Sequence, residues 1–243
     1  MKKLTVLFAV ILITVSTNAQ IGYSESPKFK YGFKAGINLA SLSAIKVEAL
    51  GMGIDLLPGS KMSAGFFAAA HCNFSFTEFI GIQPEVMFSM QGGKINEFSI
   101  DLDDMEMSLE DAITFRYNYI NVPVLFDIKP FKDFSILVGP QIGFNMSKSI
   151  STMGESMPNE VFDVLKEFGI KFNTIDFSLV FGAQYAVAGR FIISARYNLG
   201  ISNVWSGKID VPDDIGGGII DIPNIGISGS KNRVIQIGIG YQF

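Results

Sequence analysis

The sequence predicts an all-β chain, an eight-stranded antiparallel β-barrel closed within a membrane, and three observations carry that prediction. The chain of 243 residues is apolar throughout, with 48% hydrophobic and 17% charged residues and a mean hydropathy of +0.34; the usual charged share is about a quarter. Only one apolar run approaches membrane length, residues 4–15 near the N-terminus, and a spanning helix takes about 20 apolar residues. Apolar and polar residues alternate with period 2 in eight successive segments, the pattern of strands with two different faces. A chain this apolar without spanning helices has one other way to satisfy its backbone in lipid, a closed barrel. The net charge of −4, with no basic stripe, excludes nucleic acid as an expected partner.

Residues 1–19 read as a cleaved signal peptide. Lys2 and Lys3 form a charged start, residues 4–15 an apolar core, and Ser16, Thr17, Asn18 and Ala19 a small-residue site that places cleavage between Ala19 and Gln20. The competing reading is a retained anchor helix. Lipoprotein processing is not expected, because no cysteine lies near the cleavage point. Residues 20–29 then form a short periplasmic segment and 30–243 the barrel domain. Cys72 stands alone, so no internal disulfide forms; it is either an apolar filler in a strand or a reactive thiol.

The eight expected strands are 31–40, 64–75, 80–91, 113–128, 134–147, 175–187, 191–203 and 233–243. The first sets Tyr31, Phe33, Ala35 and Ile37 against Gly32, Lys34, Gly36 and Asn38. The second sets Phe66, Ala68, Ala70, Cys72 and Phe74 against Phe67, Ala69, His71 and Asn73, and the third Ile82, Val86 and Phe88 against Gln83, Glu85, Met87 and Ser89. In the fourth, Phe115, Tyr117 and Tyr119 share one face while Ile120, Val122, Val124 and Phe126 fall on the other. Either a bulge shifts the phase near Tyr119 or the tyrosines point inward. The last four alternate cleanly, as in Ile193, Ala195 and Tyr197 against Ser194, Arg196 and Asn198. Connections alternate too: 76–79, 129–133 and 188–190 are short, whereas 41–62, 92–112, 148–174 and 204–232 are long. Short periplasmic turns and long extracellular loops are the layout of outer-membrane barrels, with both termini periplasmic.

A soluble ligand-binding barrel would also alternate, with large apolar side chains inside. Here one face is rich in Gly, Ser, Asn and Gln and the other is a band of Phe, Ile, Leu and Tyr too large to leave in water. The apolar band is therefore expected to meet lipid, with Tyr31, Phe74, Phe134, Tyr185 and Phe191 in an interface belt on the turn side. An eight-stranded barrel has room for side chains or one small ligand, not an open channel. The inward charges Lys34, Glu85, Asp127, Asp176 and Arg196, with Arg116, then need partners. A cross-barrel ion-pair network centred on Glu85 with Lys34 or Arg196 is expected; the functional alternative is a proton or substrate path.

Two motifs carry a resemblance. The run Gly81-Ile82-Gln83-Pro84-Glu85-Val86-Met87-Phe88-Ser89-Met90-Gln91-Gly92-Gly93-Lys94 resembles the signature strand of PorT-like outer-membrane β-barrel proteins, and Tyr119-Ile120-Asn121-Val122-Pro123-Val124-Leu125 resembles the next strand's Tyr-x-x-x-Pro-Leu-Leu element. Gly32-Phe33-Lys34-Ala35-Gly36-Ile37-Asn38 and the close on Gly-Tyr-Gln-Phe also fit, so the resemblance spans 30–243. It implies an eight-stranded outer-membrane barrel and no catalytic site. The namesake serves the type IX secretion system, while most relatives are general barrels. Ile239, Tyr241 and Phe243 look like the C-terminal signal read by the barrel-assembly machinery.

No chemistry, cofactor or metal site is expected. His71, the one histidine, points inward in the periplasmic half, far from the outer rim where membrane enzymes of this size work. His71 and Cys72 are adjacent in a strand and face opposite sides, so they cannot share a metal. The second long loop is acidic, with Glu97, Asp101, Asp103, Asp104, Glu106, Glu110 and Asp111; it reads as solvated or lipopolysaccharide-bridging charge, or as a weak calcium ligand set. In the third, 159–168 reads as a short amphipathic helix capped by Asn159, lying over the barrel mouth or on the membrane surface. The fourth, with Gly216, Gly217 and Gly218 before Ile219, Ile220, Ile222 and Ile225, is either a strand extension or a partner-binding surface. The expected role is structural or partner-binding through loops or turns, as a monomer in outer-membrane lipid. The rivals are an accessory subunit of a secretion or assembly complex, a lipid-modifying enzyme and a narrow pore.

Overall fold

The computed structural model describes residues 28–43, 45–49, 52–57, 60–95, 98–102, 105–109, 113–152, 155–156, 170–209, 225–228 and 230–243. The signal segment with Ala19 and Gln20, the helix expected over 159–168, the Gly216–218 stretch with Ile219, Ile220 and Ile222, and Glu97, Asp103, Asp104, Glu110 and Asp111 lie outside the described residues.

Strands form where the alternation is strongest. In chain order they are β1 (Lys28–Leu42), β2 (Ile45–Ala49), β3 (Met52–Leu57), β4 (Ser63–Ser75), β5 (Ile80–Ile95), β6 (Phe98–Leu102), β7 (Met105–Leu109), β8 (Ile113–Phe131), β9 (Phe134–Thr152), β10 (Glu155–Ser156), β11 (Ile170–Phe172), β12 (Ile175–Val187), β13 (Phe191–Gly200), β14 (Trp205–Ile209), β15 (Ile225–Ser228) and β16 (Asn232–Gln242). Eight of them pair antiparallel in the order β1, β4, β5, β8, β9, β12, β13, β16, and β16 returns to β1 to close the barrel. At that seam Lys34 faces Gly240, Gly36 faces Gly238 and Asn38 faces Gln236. Closure leaves no edge among these strands, which lipid requires.

The turns are as tight as the sequence implies. Lys132 and Asp133 alone join β8 to β9, with Asp133 in the left-handed region at φ 66°, so β8 runs three residues past its expected end at 128. Ala188, Gly189 and Arg190 join β12 to β13. The first and last described residues, Lys28 and Phe243, lie at this turn end, where Lys28 faces Ser75 and the Phe243 N–H donates to the Tyr31 carbonyl. The long connections, expected as loops, carry strands. β2, β3, β11, β14 and β15, drawn from three different connections, hydrogen-bond into a separate five-stranded sheet, and β6 and β7 form a hairpin that sets Asp101 opposite Glu106.

The fourth barrel strand settles its two readings. On β8, Tyr117, Tyr119, Asn121, Leu125 and Asp127 are all buried, so the tyrosines point inward and the strand keeps one phase. The irregularity lies on its neighbour: Asn118 pairs with Ser147 and Tyr119 with Asn145, so Met146 of β9 is the extra residue. This corrects one expectation. Arg116 has the parity opposite to Tyr117 and is exposed on the outer face, not part of the interior set.

Outward residues form the apolar band: Phe33, Ile37, Phe66, Phe126, Phe177, Phe181, Ile193, Ile237 and Ile239 are all largely exposed on the barrel wall. Toward the turn end the aromatics interlock, with Tyr31 stacked on Phe243 at 5.1 Å, Phe29 against Phe74 at 5.0 Å and Tyr241 edge-on to Phe191 at 5.2 Å. Ile237 lies in this band between Ile37 and Ala195. Ile237→Arg is expected to cost about 2–4 kcal/mol, read as a lower urea midpoint in lipid vesicles; an unchanged midpoint would remove Ile237 from the lipid face.

Candidate functional site

The inward faces of the eight strands build one continuous polar interior, arranged in three tiers. The middle tier is ionic. Glu85 of β5 lies between Lys34 of β1 and Arg196 of β13. Lys34 Nζ donates to Glu85 Oε1 at 3.0 Å, and the Arg196 guanidinium donates twice, to Oε2 and Oε1, both at 2.7 Å. A bidentate fork of this kind adds orientation as well as attraction. Gln83 Nε2 donates to the same Oε1 at 2.7 Å, and Lys34 also donates to Gln184 Oε1 at 3.0 Å. The side chains of Lys34, Glu85 and Arg196 are essentially inaccessible to solvent.

Glycines make the room for these long side chains. A Cβ on Gly182 would stand 2.7 Å from Arg196 Cγ, and one on Gly240 2.8 Å from Lys34 Cγ. These two inward glycines are therefore packing devices, each facing the stem of a charged neighbour.

The tier at the turn end centres on Asp127. Its Oδ2 accepts from Asn73 Nδ2 at 2.5 Å and lies 3.3 Å from Lys129 Nζ, which also donates to Ser75 Oγ at 2.5 Å. Gln83 Oε1 accepts from Asn73 and from Gln184, so the two tiers are one network. Below it an open basin of about 620 Å³ is lined by Lys30, Glu78, Lys129, Lys132 and Asp133.

The tier at the mouth contains Asn38, hydrogen-bonded to Ser89 Oγ at 3.0 Å and accepting from Gln236 Nε2 at 2.9 Å. Asp176 is here too, not beside Glu85: it accepts from the Ser202 hydroxyl and from Asn232 Nδ2. Above lies an apolar cap of Leu42, Tyr117, Tyr119 and Val204, with Phe115, Phe172 and Trp205 packed against it. Two further apolar clusters, Phe67 with Met87 and Leu125 with Leu137 and Val180, fill the interior between tiers.

His71 is buried opposite Glu85 across the β4–β5 pair, toward the turn end, and neither ring nitrogen has a hydrogen-bond partner among the described residues. Cys72 faces the other side of the wall. Of the charged residues named from sequence, Lys34, Glu85 and Arg196 meet, Asp176 is held separately, and Arg116 is outside. Sequence reasoning missed the amides Asn73, Gln83, Gln184 and Gln236 as bridging groups. Their inward parity was legible, but which of them meet across the barrel depends on strand stagger.

The family model for the outer membrane protein beta-barrel domain matches residues 18–206. Similar solved structures include the attachment invasion locus protein Ail of Yersinia pestis, at 15% identity over 89% of this chain and 99% of that chain with a TM-score of 0.39. They also include OprG of Pseudomonas aeruginosa, at 12% identity over 89% of this chain and 97% of that chain with a TM-score of 0.45. The outer membrane protease OmpT of Escherichia coli is similar at 11% identity over 91% of this chain and 99% of that chain, with a TM-score of 0.38. No curated protein matches. With a match over most of its length and a closed eight-stranded wall, the chain belongs to the outer membrane protein beta-barrel domain family and is an outer-membrane protein.

Proposed function

We propose that this outer-membrane barrel is sealed and works by contact, through its loop-side surface, and not by conduction or catalysis. The observation that carries the reading is the filled interior: ionic, amide and apolar groups occupy it from Asp127 at the turn end to the cap at Tyr117 and Tyr119. The five-stranded sheet of β2, β3, β11, β14 and β15 supports the second half of it. Backbone pairing between three separate connections makes a stiff platform, the kind of surface on which partner contacts are held at low ordering cost. In this reading the loops face outside and the turns and both termini the periplasm. The barrel is monomeric, lipid covers its apolar band, and the barrel-assembly machinery inserts it.

A second reading, an accessory role in a secretion or assembly complex of the PorT-like kind, is favoured by the charged basin at the turn end. Photocrosslinking in the native host separates the two. A probe at Ile227 on β15 is expected to capture a surface partner, and one at Asp133 lipid or nothing. An abundant periplasmic partner at Asp133 would transfer the function to the turn end. The purified barrel is also expected to give no discrete conductance steps in a planar bilayer; steps would contradict the sealed interior.

A further inference from the structure

Where β4 and β5 reach the loop end, two lysines are held face to face. Lys61, just before β4, exchanges both backbone hydrogen bonds with Lys94 of β5, at 2.8 and 3.0 Å. In an antiparallel pair this sets the two residues directly opposite each other, and like charges so placed repel. Arg116 of β8 faces Gly92, two residues along β5 from Lys94, so it is the diagonal neighbour of Lys94 on the same face. All three residues are exposed on the outside of the wall. Among the described residues, no ion pair and no side-chain hydrogen bond includes any of the three. Three cations gathered on neighbouring strands without an acid focus a positive field on whatever lies beside the wall.

The height of the cluster and the sign of the wall indicate what lies there. Lys94 stands fourteen residues along β5 from Ile80, its first residue at the turn end. That is about 46 Å of strand and about 35 Å of height at the usual barrel tilt, above an apolar band of about 25 Å. Below Lys94 on the outer face of β5 come Met90, Phe88 and Val86, and below Arg116 on β8 come Ile120 and Val122. The cluster therefore lies at the level of the lipid headgroups. The wall is sorted by charge as well. In the eight barrel strands the acids are Glu85, Asp127 and Asp176, all buried inside, whereas the outward charges at the loop end, Lys94, Arg116 and Arg233, are all basic. We propose that Lys61, Lys94 and Arg116 bind the phosphate of an outer-leaflet glycolipid of the lipid A class, whose acyl chains lie along the apolar wall below. This rests on the reading that the loops face outside. The arginine fork takes two phosphate oxygens, and the lysines add point charge on either side.

The test is native mass spectrometry of the purified barrel in detergent with EDTA, which removes divalent bridges between phosphates and loop acids. The probes are lipid A, dephosphorylated lipid A and phosphatidylglycerol, and excess inorganic phosphate is the competitor. The wild type is expected to hold one lipid A and not its dephosphorylated form, a comparison that needs no variant. The triple variant Lys61→Gln, Lys94→Gln, Arg116→Gln is expected to bind lipid A about a hundredfold more weakly, with heat-modifiable gel migration showing that it is folded. A wild type that binds no lipid A, or a folded variant that binds it equally, overturns the proposal. Phosphatidylglycerol held as tightly as lipid A, or displacement of lipid A by inorganic phosphate, overturns it too, since the cluster would then read charge alone. Orientation is measured separately, by labelling Ser228→Cys, in a Cys72→Ala background, on intact cells with a membrane-impermeant maleimide. Absence of label would remove the outward loops and the outer leaflet with them, whereas label on cells with no lipid A bound to the wild type would remove this site alone.

Discussion

Glu85→Ala is expected to destabilise the barrel by about 3–5 kcal/mol or to prevent its assembly, because it strands two buried cations. Lys34 and Arg196 both direct their donors at this one carboxylate, and neither has solvent to turn to. The remaining acceptor near Lys34 is the Gln184 amide, which carries no charge. Removing the acid therefore costs more than the pair contributes when intact, since like charges are left facing one another in low dielectric. The measurement is the urea midpoint in lipid vesicles with the folded fraction read on unheated gels. Replacing all three groups by apolar residues of similar volume, Lys34→Met with Glu85→Leu and Arg196→Met, is expected to recover much of the loss. A Glu85→Ala barrel as stable as wild type would show that the ionic tier contributes nothing.

Gly36→Val is expected to block closure of the β1–β16 seam. A Cβ at Gly36 would stand 2.1 Å from the Ile237 carbonyl oxygen and 2.5 Å from the Gly238 Cα. Both obstacles are backbone of the partner strand, so no rotamer change relieves them, and overpacking of this kind costs about 1–3 kcal/mol even where neighbours can shift. Gly238 is different. A Cβ there meets the Phe67 ring at 2.6 Å, and only then the Ala35 carbonyl oxygen at 2.9 Å. Phe67→Ala is therefore expected to restore part of the assembly lost in Gly238→Ala, and none of that lost in Gly36→Val. Equal rescue of the two would show that the ring, not the backbone approach, sets the requirement for glycine at Gly36.

The barrel was legible because its physics is local. Each strand must alternate to face lipid on one side and a packed polar interior on the other, so pairs such as Ile193 and Ser194 announce the wall residue by residue. The fourth strand was ambiguous because the cause of its mixed pattern lies elsewhere. The tyrosines belong to the cap over the mouth, and the bulge that suits them is Met146 on the next strand. Arg116 followed from the wrong branch of that choice. The loop-side sheet was not legible: segments as short as Ile225–Ser228 acquire their partners from other connections, and no period or turn signal within them points to Val47 or Gly207. In the interior, Lys34, Glu85 and Arg196 were visible as inward charges, but the separation of Asp176 from them depends on its height along the barrel, near Gly143 and Ser202.

The central claim is that the apolar face meets lipid and the charged face fills a sealed interior. Nuclear Overhauser contacts between side-chain methyls and lipid acyl chains test it without any substitution. Neighbouring residues on one strand give the sharpest comparison: Ile193 against Ile192 on β13, and Val86 against Met87 on β5. Acyl-chain contacts are expected for Ile193, Val86 and Ile237 and none for Ile192, Met87 and Leu137. Contacts at Ile192 and Met87, with none at Ile193 and Val86, would turn the barrel inside out and contradict the account.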